Sequence, residues 1–597
     1  AATALPYPRN LLMNTQAEYQ QVANAITTLL TDIAPGLSEQ AIKVIKKLAD
    51  SMSQQHSCLH LNHDELPVME ELLTSPIAST GDEITPLIIR GSQLYFHRYH
   101  ELERKIAEKL RILNQRSDIP GFSVSELDRL FPEDQPFNMQ KIAAYLAATR
   151  KLTIITGGPG TGKTSTVAKI ISLMYALQPT LTFALAAPTG KAASRLSQSL
   201  QQTWAGQHLD HPLQAPQQVQ TLHRLLSISK DGSKPKYHAD RKLNFDVLII
   251  DEASMIDLAM MSNLLEAMQD SARLILLGDP DQLPSVETGN LLADLTIPFP
   301  GFSKGTREEL NQHFSNITIP PDGSSQLIDA ACRLTFSFRF SAQQGIGKLA
   351  NSITRGNPEI PSNSEQVERQ DLSRSTLSQV TQPLNNYFQL IQQEVPLQRL
   401  FDELNQCKIL TPTREGPWGV IHINAQIEQI LESQNLKPAN KFHYHGRPIM
   451  ILRNDYVNGL FNGDIGLCID TQLCTDLAAA ASLDTSQQSS LIACFTDSPG
   501  LKIVPLARLP EHETCFSMTV HKSQGSEFDQ VCLVLAEAES EAGRHLQTRE
   551  LLYTAVTRCR SKISIFADQH TWQQAIQRQR SRSSGLADFL CSPLAKR

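Results

Sequence analysis

Short apolar runs and amphipathic stretches alternate through the middle of the chain. The runs fall at 152–155, 183–187, 247–250 and 274–277, and the first is followed by apolar residues at helical spacing, Val167, Ile170, Ile171 and Met174. Alternation of this kind predicts a parallel sheet flanked by helices. A second α/β pattern runs from about 400 to the end, with strands predicted at 408–410, 530–535 and 563–566. Between them, over roughly 440–515, β-rich runs such as 448–452 and 491–495 predict a small inserted β domain. Residues 1–115 read as mostly helical, as at 37–52 and 101–111, while 298–326 and 355–382 read as polar, loop-like segments. The expected division is therefore 1–115, 116–335 and 336–597, and no repeat of fixed period is present.

Composition narrows the class without naming it. A chain of 597 residues is too long for one core, so about three to five domains are expected. Hydrophobic content of 41% and charged content of 19% fit an ordinary globular protein. The net charge of −7 excludes a protein coated in basic residues, so any nucleic-acid contact must be confined to a groove. Ten cysteines without a C-x-x-C pair point to reduced thiols. There is no run of 18 apolar residues and no signal pattern in residues 1–10, so a cytoplasmic protein with no membrane partner is expected.

The chemistry begins at Gly157, Gly158, Pro159, Gly160, Thr161, Gly162, Lys163 and Thr164, which fit G-x-x-x-x-G-K-[ST] between a predicted strand and a predicted helix. Glycines let the backbone curl so that several N–H groups face one point at a helix N-terminus, where aligned dipoles favour an anion. Lys163 then reaches the β- and γ-phosphates of a nucleoside triphosphate, and Thr164 holds Mg²⁺. Asp251 and Glu252 follow the strand at 247–250. The first is the candidate Mg²⁺ carboxylate and the second the candidate base for the attacking water. The strand at 274–277 ends in Gly278-Asp279-Pro280-Asp281-Gln282-Leu283-Pro284, and the Gln282 amide is placed to sense a γ-phosphate.

Taken with further strings in the same order, these motifs resemble a superfamily 1 DNA helicase, and more closely its RecD family. The strings are Ala-Pro-Thr-Gly-Lys-Ala-Ala at 187–193, Thr-Leu-His-Arg-Leu-Leu at 221–226 and Leu-Thr-Phe-Ser-Phe-Arg-Phe at 334–340. Arg-Glu-Gly-Pro-Trp-Gly follows at 414–419, Asn-Gly-Asp-Ile-Gly at 462–466, Val-His-Lys-Ser-Gln-Gly-Ser-Glu-Phe at 520–528 and Leu-Tyr-Thr-Ala-Val-Thr-Arg at 552–558. Residues 86–91 resemble the family less distinctively. The resemblance implies two RecA-like P-loop NTPase motor domains, a helical N-terminal docking domain and an SH3-like β insert. It further implies ATP and Mg²⁺ as cofactors and ATP-driven 5′ to 3′ movement on single-stranded DNA. The partners it implies are double-stranded DNA ends and RecB-like and RecC-like subunits in a heterotrimer, the RecBCD exodeoxyribonuclease.

It also assigns residues. Gln140 would read the adenine edge, and Arg339 and Arg558 would reach the γ-phosphate from the second motor domain, where a guanidinium stabilises charge on the transferring group. Thr189, His223, His521, Lys522 and Gln524 would line the strand path, gripping backbone rather than reading bases. The basic stretch 224–242, with Asp231-Gly232 as a hairpin turn, is either a pin-like insertion of the first motor domain or a solvated charged loop. Arg578, Arg580 and Arg582 read as a solvated basic tail. His56, Cys58, His60 and His63 match no common zinc spacing, and 58–61 reads as a short strand. No second acidic set with a partnering lysine is found, so a cutting centre is expected on another subunit. Two rivals are a longer stand-alone helicase of the RecD-like type, against which the short N-terminal region counts, and a non-enzymatic scaffold.

Overall fold

The computed structural model describes residues 16–131, 138–206, 219–228, 235–314, 327–340, 344–361, 364–372, 377–455, 457–474, 491–497, 500–580 and 582–591. Four sheets organise the chain. The first lies in the N-terminal region, where strands β1 (Cys58–His60), β2 (Ala78–Ser79), β3 (Leu87–Arg90) and β4 (Gln93–Phe96) take the order β1-β4-β3-β2. Helices Gln16–Ile33, Glu39–Ser53, Pro67–Leu73 and His97–Leu113 surround it. The strand at 58–61 was anticipated but the rest of the sheet was not, because strands of two to four residues are too short to show a period. A two-residue turn closes β3 onto β4, and Gly91 supplies its positive φ of 59°. Ile45, Leu48, Leu72, Leu87 and Leu94 form the core here.

The first α/β lobe is a six-stranded, wholly parallel sheet. Its strands are β5 (Leu152–Gly157), β6 (Phe183–Ala187), β7 (Val219–Thr221), β8 (Val247–Ile250), β9 (Arg273–Gly278) and β10 (Ala331–Leu334), in the order β10-β5-β9-β8-β6-β7. The central strands are buried at every position, which is why they read as continuous apolar runs. Alternate residues feed two cores: Leu152, Ile154 and Leu274 on one face, Ile155, Ile249 and Ile275 on the other. The segment 298–326, read as a polar closure, contains helix Lys304–His313, capped by the Ser303 hydroxyl.

The second lobe is also parallel, with β11 (Val367–Gln370), β12 (Cys407–Thr411), β18 (Ser517–Thr519), β19 (Phe528–Leu535) and β20 (Cys559–Ala567) in the order β11-β20-β19-β12-β18. Strand β11 corrects the loop-like reading of 355–382: it is an edge strand, and Glu368, Arg369 and Gln370 are polar because one side of it meets solvent. Between β12 and β18 the chain builds an antiparallel sheet of β13 (Arg447–Ile451), β14 (Ile465–Asp470), β15 (Leu491–Asp497), β16 (Gly500–Pro505) and β17 (His512–Thr514), ordered β16-β15-β14-β13-β17. Ile449, Ile451, Cys468, Ala493 and Phe495 form its own small core.

The C-terminal segment is not a solvated tail. Arg582 is 8% exposed. It donates to the Glu287 carbonyl at 2.9 Å, the Ser285 carbonyl at 2.6 Å, the Gly289 carbonyl and the Gln55 side chain. Arg580 shares Gln55, and Arg578 donates to the Gln547 carbonyl at 3.0 Å. The correction has a plain cause: three arginines close in sequence look solvated until another part of the chain supplies carbonyls for them. Helix Leu586–Cys591 then packs into the first-lobe core through Leu586, Phe589 and Leu590. His56 accepts the Ser583 N–H at 2.7 Å, and Cys58 is buried on β1. In the basic stretch 224–242, the 231–232 turn lies outside the described residues, and 238 and 241 form a small antiparallel bridge. Among the described residues no helix is long and apolar enough to cross a membrane.

Candidate nucleotide site and strand path

β5 ends at Gly157 and helix Lys163–Leu177 begins six residues on, so the intervening loop curls over the helix N-terminus. Gly160 and Gly162 have φ of 74° and 80°. A Cβ on Gly160 would lie 2.4 Å from the Cβ of Arg339, and one on Gly162 2.5 Å from the Gln140 amide nitrogen. Both glycines are thus required by conformation, and Gly160 by space as well. Lys163 Nζ donates to the Gly157 carbonyl at 2.6 Å and the Gly158 carbonyl at 3.1 Å. Gln140 is buried and donates its amide to the Thr161 carbonyl at 3.0 Å.

A cavity of about 580 Å³ opens on this loop, lined by Gln140, residues 159–164, Asp251, Glu252, Gln282, Arg339 and Arg558. Residues predicted separately from strings hundreds of positions apart therefore share one chamber. Asp251 accepts the Glu252 N–H at 2.8 Å, and Glu252 sits at φ 54°, a left-handed conformation uncommon outside glycine. Burial, then the neighbouring Glu252 charge, push the Asp251 carboxyl up to about 6. A metal ion would reverse that direction by supplying charge the site lacks. The Thr164 hydroxyl and the partly buried Asp251 carboxylate, both oxygen donors, fit a hard cation such as Mg²⁺.

Across the cavity the two lobes are wired by side chains. Gln282 donates to Asp279 at 3.0 Å and accepts from Arg558 Nη2 at 2.9 Å. Tyr553 donates to the same Asp279 oxygen at 3.0 Å. The Leu283 N–H donates to the Thr554 hydroxyl at 2.9 Å, and the Leu283 carbonyl accepts from Gln524 at 3.1 Å. Burial depresses the Arg558 guanidinium from its ordinary value. Arg339 reaches the chamber because the Phe338 N–H donates to the Gly160 carbonyl at 2.8 Å, and its own Nη2 lies 2.7 Å from Glu527.

Among the cavity residues given no role from the sequence are two charged partners, Arg195 and Glu527. A signal existed for the first: Ala192, Arg195, Leu196, Ser199 and Thr203 recur at helical spacing after a family string.

Of the five strand-path candidates, the structure groups some and leaves one apart. Thr189 caps helix Gly190–Gly206 by accepting the Ala192 N–H at 3.2 Å. Lys522 donates to Asn462 of the antiparallel insert at 2.6 Å, and Lys191 donates to the Gly463 carbonyl at 3.4 Å. The turn around 461–463 thus spans both lobes. Gln524 bridges to Leu283 instead of standing open. His521 is pushed down to about 4 by burial, then by Arg580 and Arg582. His223 is exposed on the short helix Leu222–Leu225, beside edge strand β7.

A phosphate-type loop, paired carboxylates and two parallel-sheet lobes meeting at one chamber define a P-loop NTPase of the two-lobed helicase class. The AAA domain family profile matches residues 140–288, and the UvrD-like helicase C-terminal domain profile matches residues 514–565. The chain is 32% identical to RecBCD enzyme subunit RecD of Haemophilus influenzae, over 89% of this chain and 86% of the relative. It is 34% identical to the same subunit of Mycobacterium tuberculosis strain H37Rv, over 83% and 79%. It is 26% identical to the ATP-dependent RecD2 DNA helicase of Deinococcus radiodurans, over 94% of this chain and 64% of that protein. The chain belongs to the RecD family and is an ATP-dependent DNA helicase.

Proposed function

We propose that this helicase works as the RecD-type subunit of a heterotrimer with RecB-like and RecC-like partners, opening double-stranded DNA ends and moving 5′ to 3′ on one strand. Residues 116–335 and 336–597 are the RecA-like motor domains, 1–115 the docking domain, and roughly 440–515 an SH3-like insert. In the chamber, Lys163 and the loop N–H groups bind the β- and γ-phosphates, and Gln140 faces the base. Thr164 and Asp251 would hold Mg²⁺, which when bound neutralises phosphate charge. Glu252 takes the proton of the attacking water, and Gln282 senses the γ-phosphate. Arg339 and Arg558 stabilise the charge on the transferring group.

The observation that carries this reading is the bonded series Asp279–Gln282–Arg558, which runs from one lobe to the other beside the phosphate loop. Hydrolysis that alters the chamber must alter the lobe spacing, and a strand held by Thr189, His223, His521, Lys522 and Gln524 is moved with it. Unwinding of duplexes with 5′ or 3′ overhangs, alone and with co-purifying subunits, tests polarity and partnership; preference for a 3′ overhang sinks the first. A Lys163→Ala protein that still hydrolyses ATP sinks the site. The cutting centre of such a complex belongs to another subunit. A stand-alone helicase is the second reading, and 26% identity with the RecD2 protein against 32% with a RecD subunit supports the first. Native-mass chromatography of the purified protein from its own cells distinguishes the two.

A further inference from the structure

Arg195 and Glu527, charged side chains paired across the nucleotide chamber, are among those given no task by the proposed function. Helix Gly190–Gly206 turns one face to the cavity, and Arg195 is the charged residue on that face. Glu527 belongs to the second lobe, and its side chain is 8% exposed. One carboxylate oxygen pairs with Arg195 and the other with Arg339 Nη2 at 2.7 Å, while Arg560 Nε stands 3.3 Å from that second oxygen. A single carboxylate thus ties a guanidinium from the first lobe to one that leads into the second.

Two cavity-lining guanidinium groups on one carboxylate, Arg195 and Arg339, leave positive charge in excess facing a cavity floored by the phosphate loop, with Arg560 on the outer side. Arg339 Nη1 is buried with no hydrogen-bond partner among the described residues. A buried guanidinium nitrogen left unpaired is costly, and an anion in the cavity would complete it. Burial alone would push the Glu527 carboxyl up, but Arg195 and Arg339 reverse that and hold it down at about 2. The carboxylate is therefore fully charged whenever the protein is folded near neutrality.

We infer that Arg195 is a third arginine of the triphosphate site, supplied by the first lobe, and that Glu527 is a positioning carboxylate holding Arg195 and Arg339 in register until the γ-phosphate draws them onto itself. The inference rests on the ATP-hydrolysing reading of the chamber and deepens it. A terminal phosphate outcompetes a carboxylate for planar guanidinium groups because it offers more charge and three oxygens in fork geometry. Glu527 also lies three residues beyond Gln524 and five beyond Lys522, on the segment proposed to meet the strand. A shift of that segment on DNA binding carries the carboxylate with it and redirects both arginines.

The test uses the full chain, with ATPγS and ADP as probes in equilibrium binding and with steady-state hydrolysis on single-stranded DNA. Arg195→Ala is expected to weaken ATPγS by roughly ten- to a hundredfold while ADP changes by less than about twofold. Equal weakening of both nucleotides, or of neither, overturns the third-arginine role. Glu527→Gln keeps shape and removes charge, and it is expected to lower the DNA-stimulated kcat about tenfold with KM for ATP within about twofold. A wild-type kcat, or a loss carried by KM alone, overturns the positioning role. ADP affinity reports that each variant's chamber is folded; should Glu527→Gln lose it, Glu527→Asp takes its place with the same expected split. Lys163→Ala separates the two readings: if it hydrolyses normally the site assignment fails, whereas its inactivity beside an unaffected Arg195→Ala sinks this inference alone.

Discussion

Two seams in this molecule bury arginine, and they differ in what holds it across the seam: mostly backbone carbonyls at one, side chains at the other. Where the N-terminal sheet, the first lobe and the C-terminal segment meet, both terminal nitrogens of Arg582 are taken mainly by backbone, the carbonyls of Ser285, Glu287 and Gly289, with the Ser285 hydroxyl and the Gln55 side chain beside them, and its Nε is left without a partner among the described residues. Beside it, Glu103 accepts from Ser57, Ser584, Tyr95 and the Gly585 N–H. In the chamber between the lobes, Arg339 rests on the Glu527 side chain with one buried nitrogen unpartnered, while Arg558 holds two carbonyls of its own lobe, Thr554 and Ser526, and crosses to the first lobe through the Gln282 side chain. Backbone acceptors cannot move without unfolding, whereas side-chain acceptors can exchange for a ligand. The first seam is a weld and the second is a hinge, and this division is what a machine coupling hydrolysis to lobe movement requires.

Perturbing each seam should give effects of different kind as well as size. The largest is expected for Arg558→Ala, which should slow DNA-stimulated ATP hydrolysis about a thousandfold with ADP affinity little changed; hydrolysis near the wild-type rate would erase the distinction. Arg582→Ala should instead act on stability. It leaves several buried carbonyls unpaired and is expected to lower unfolding free energy by about 2–4 kcal/mol in urea melts, with hydrolysis preserved at low temperature. A loss of kcat without a loss of stability would place Arg582 in the hinge.

The pH response should also separate the two. Asp294, at the weld, is raised from 3.8 to about 7, chiefly by burial, with Ser584 pulling it down and Glu103 pushing it up. A raised acid binds its proton more tightly when folded, so its ionisation opposes folding. Wild-type stability relative to Asp294→Asn should therefore rise as pH falls from about 7 towards 3.8, by roughly 4 kcal/mol at most. Glu527 is depressed, so its contribution is fully present above 4.5 and is lost only as pH falls through about 2. Between pH 7 and 5 acidification should tighten the weld through Asp294 and leave the Glu527 ion pairs of the hinge unchanged. Paired melts in which wild type weakens relative to Asp294→Asn over that interval would contradict the assignment. The smallest effect belongs to Arg560→Ala, a half-exposed partner of Glu527. Less than about 1 kcal/mol of stability and about twofold in kcat are expected, since solvent screens such a pair.

The hinge was far more legible in the sequence than the weld. A phosphate loop needs glycines, a lysine and a hydroxyl at fixed spacing, because one stretch of backbone wraps one anion, so residues 157–164 announce themselves. Strands β5, β8 and β9 were equally plain, being buried on both faces. Arg195 and Glu527 were harder, since a charged residue within or just beyond a family string gives no sign of which partner it will meet. Strand β11 escaped because an edge strand is half solvated and reads as loop. Arg580 and Arg582 were misread outright: their acceptors are backbone carbonyls at 285–289 and a side chain at position 55, and carbonyls have no signature in a sequence. What the order of residues determined by itself was the chemistry that is local along the chain, the anion cradle, the acidic pair and the parallel-sheet alternation. What only the tertiary structure decided was which distant charges meet, because long-range pairing depends on how lobes pack, and packing brings residue 55 to residue 582 and residue 195 to residue 527 without any periodicity to foretell it.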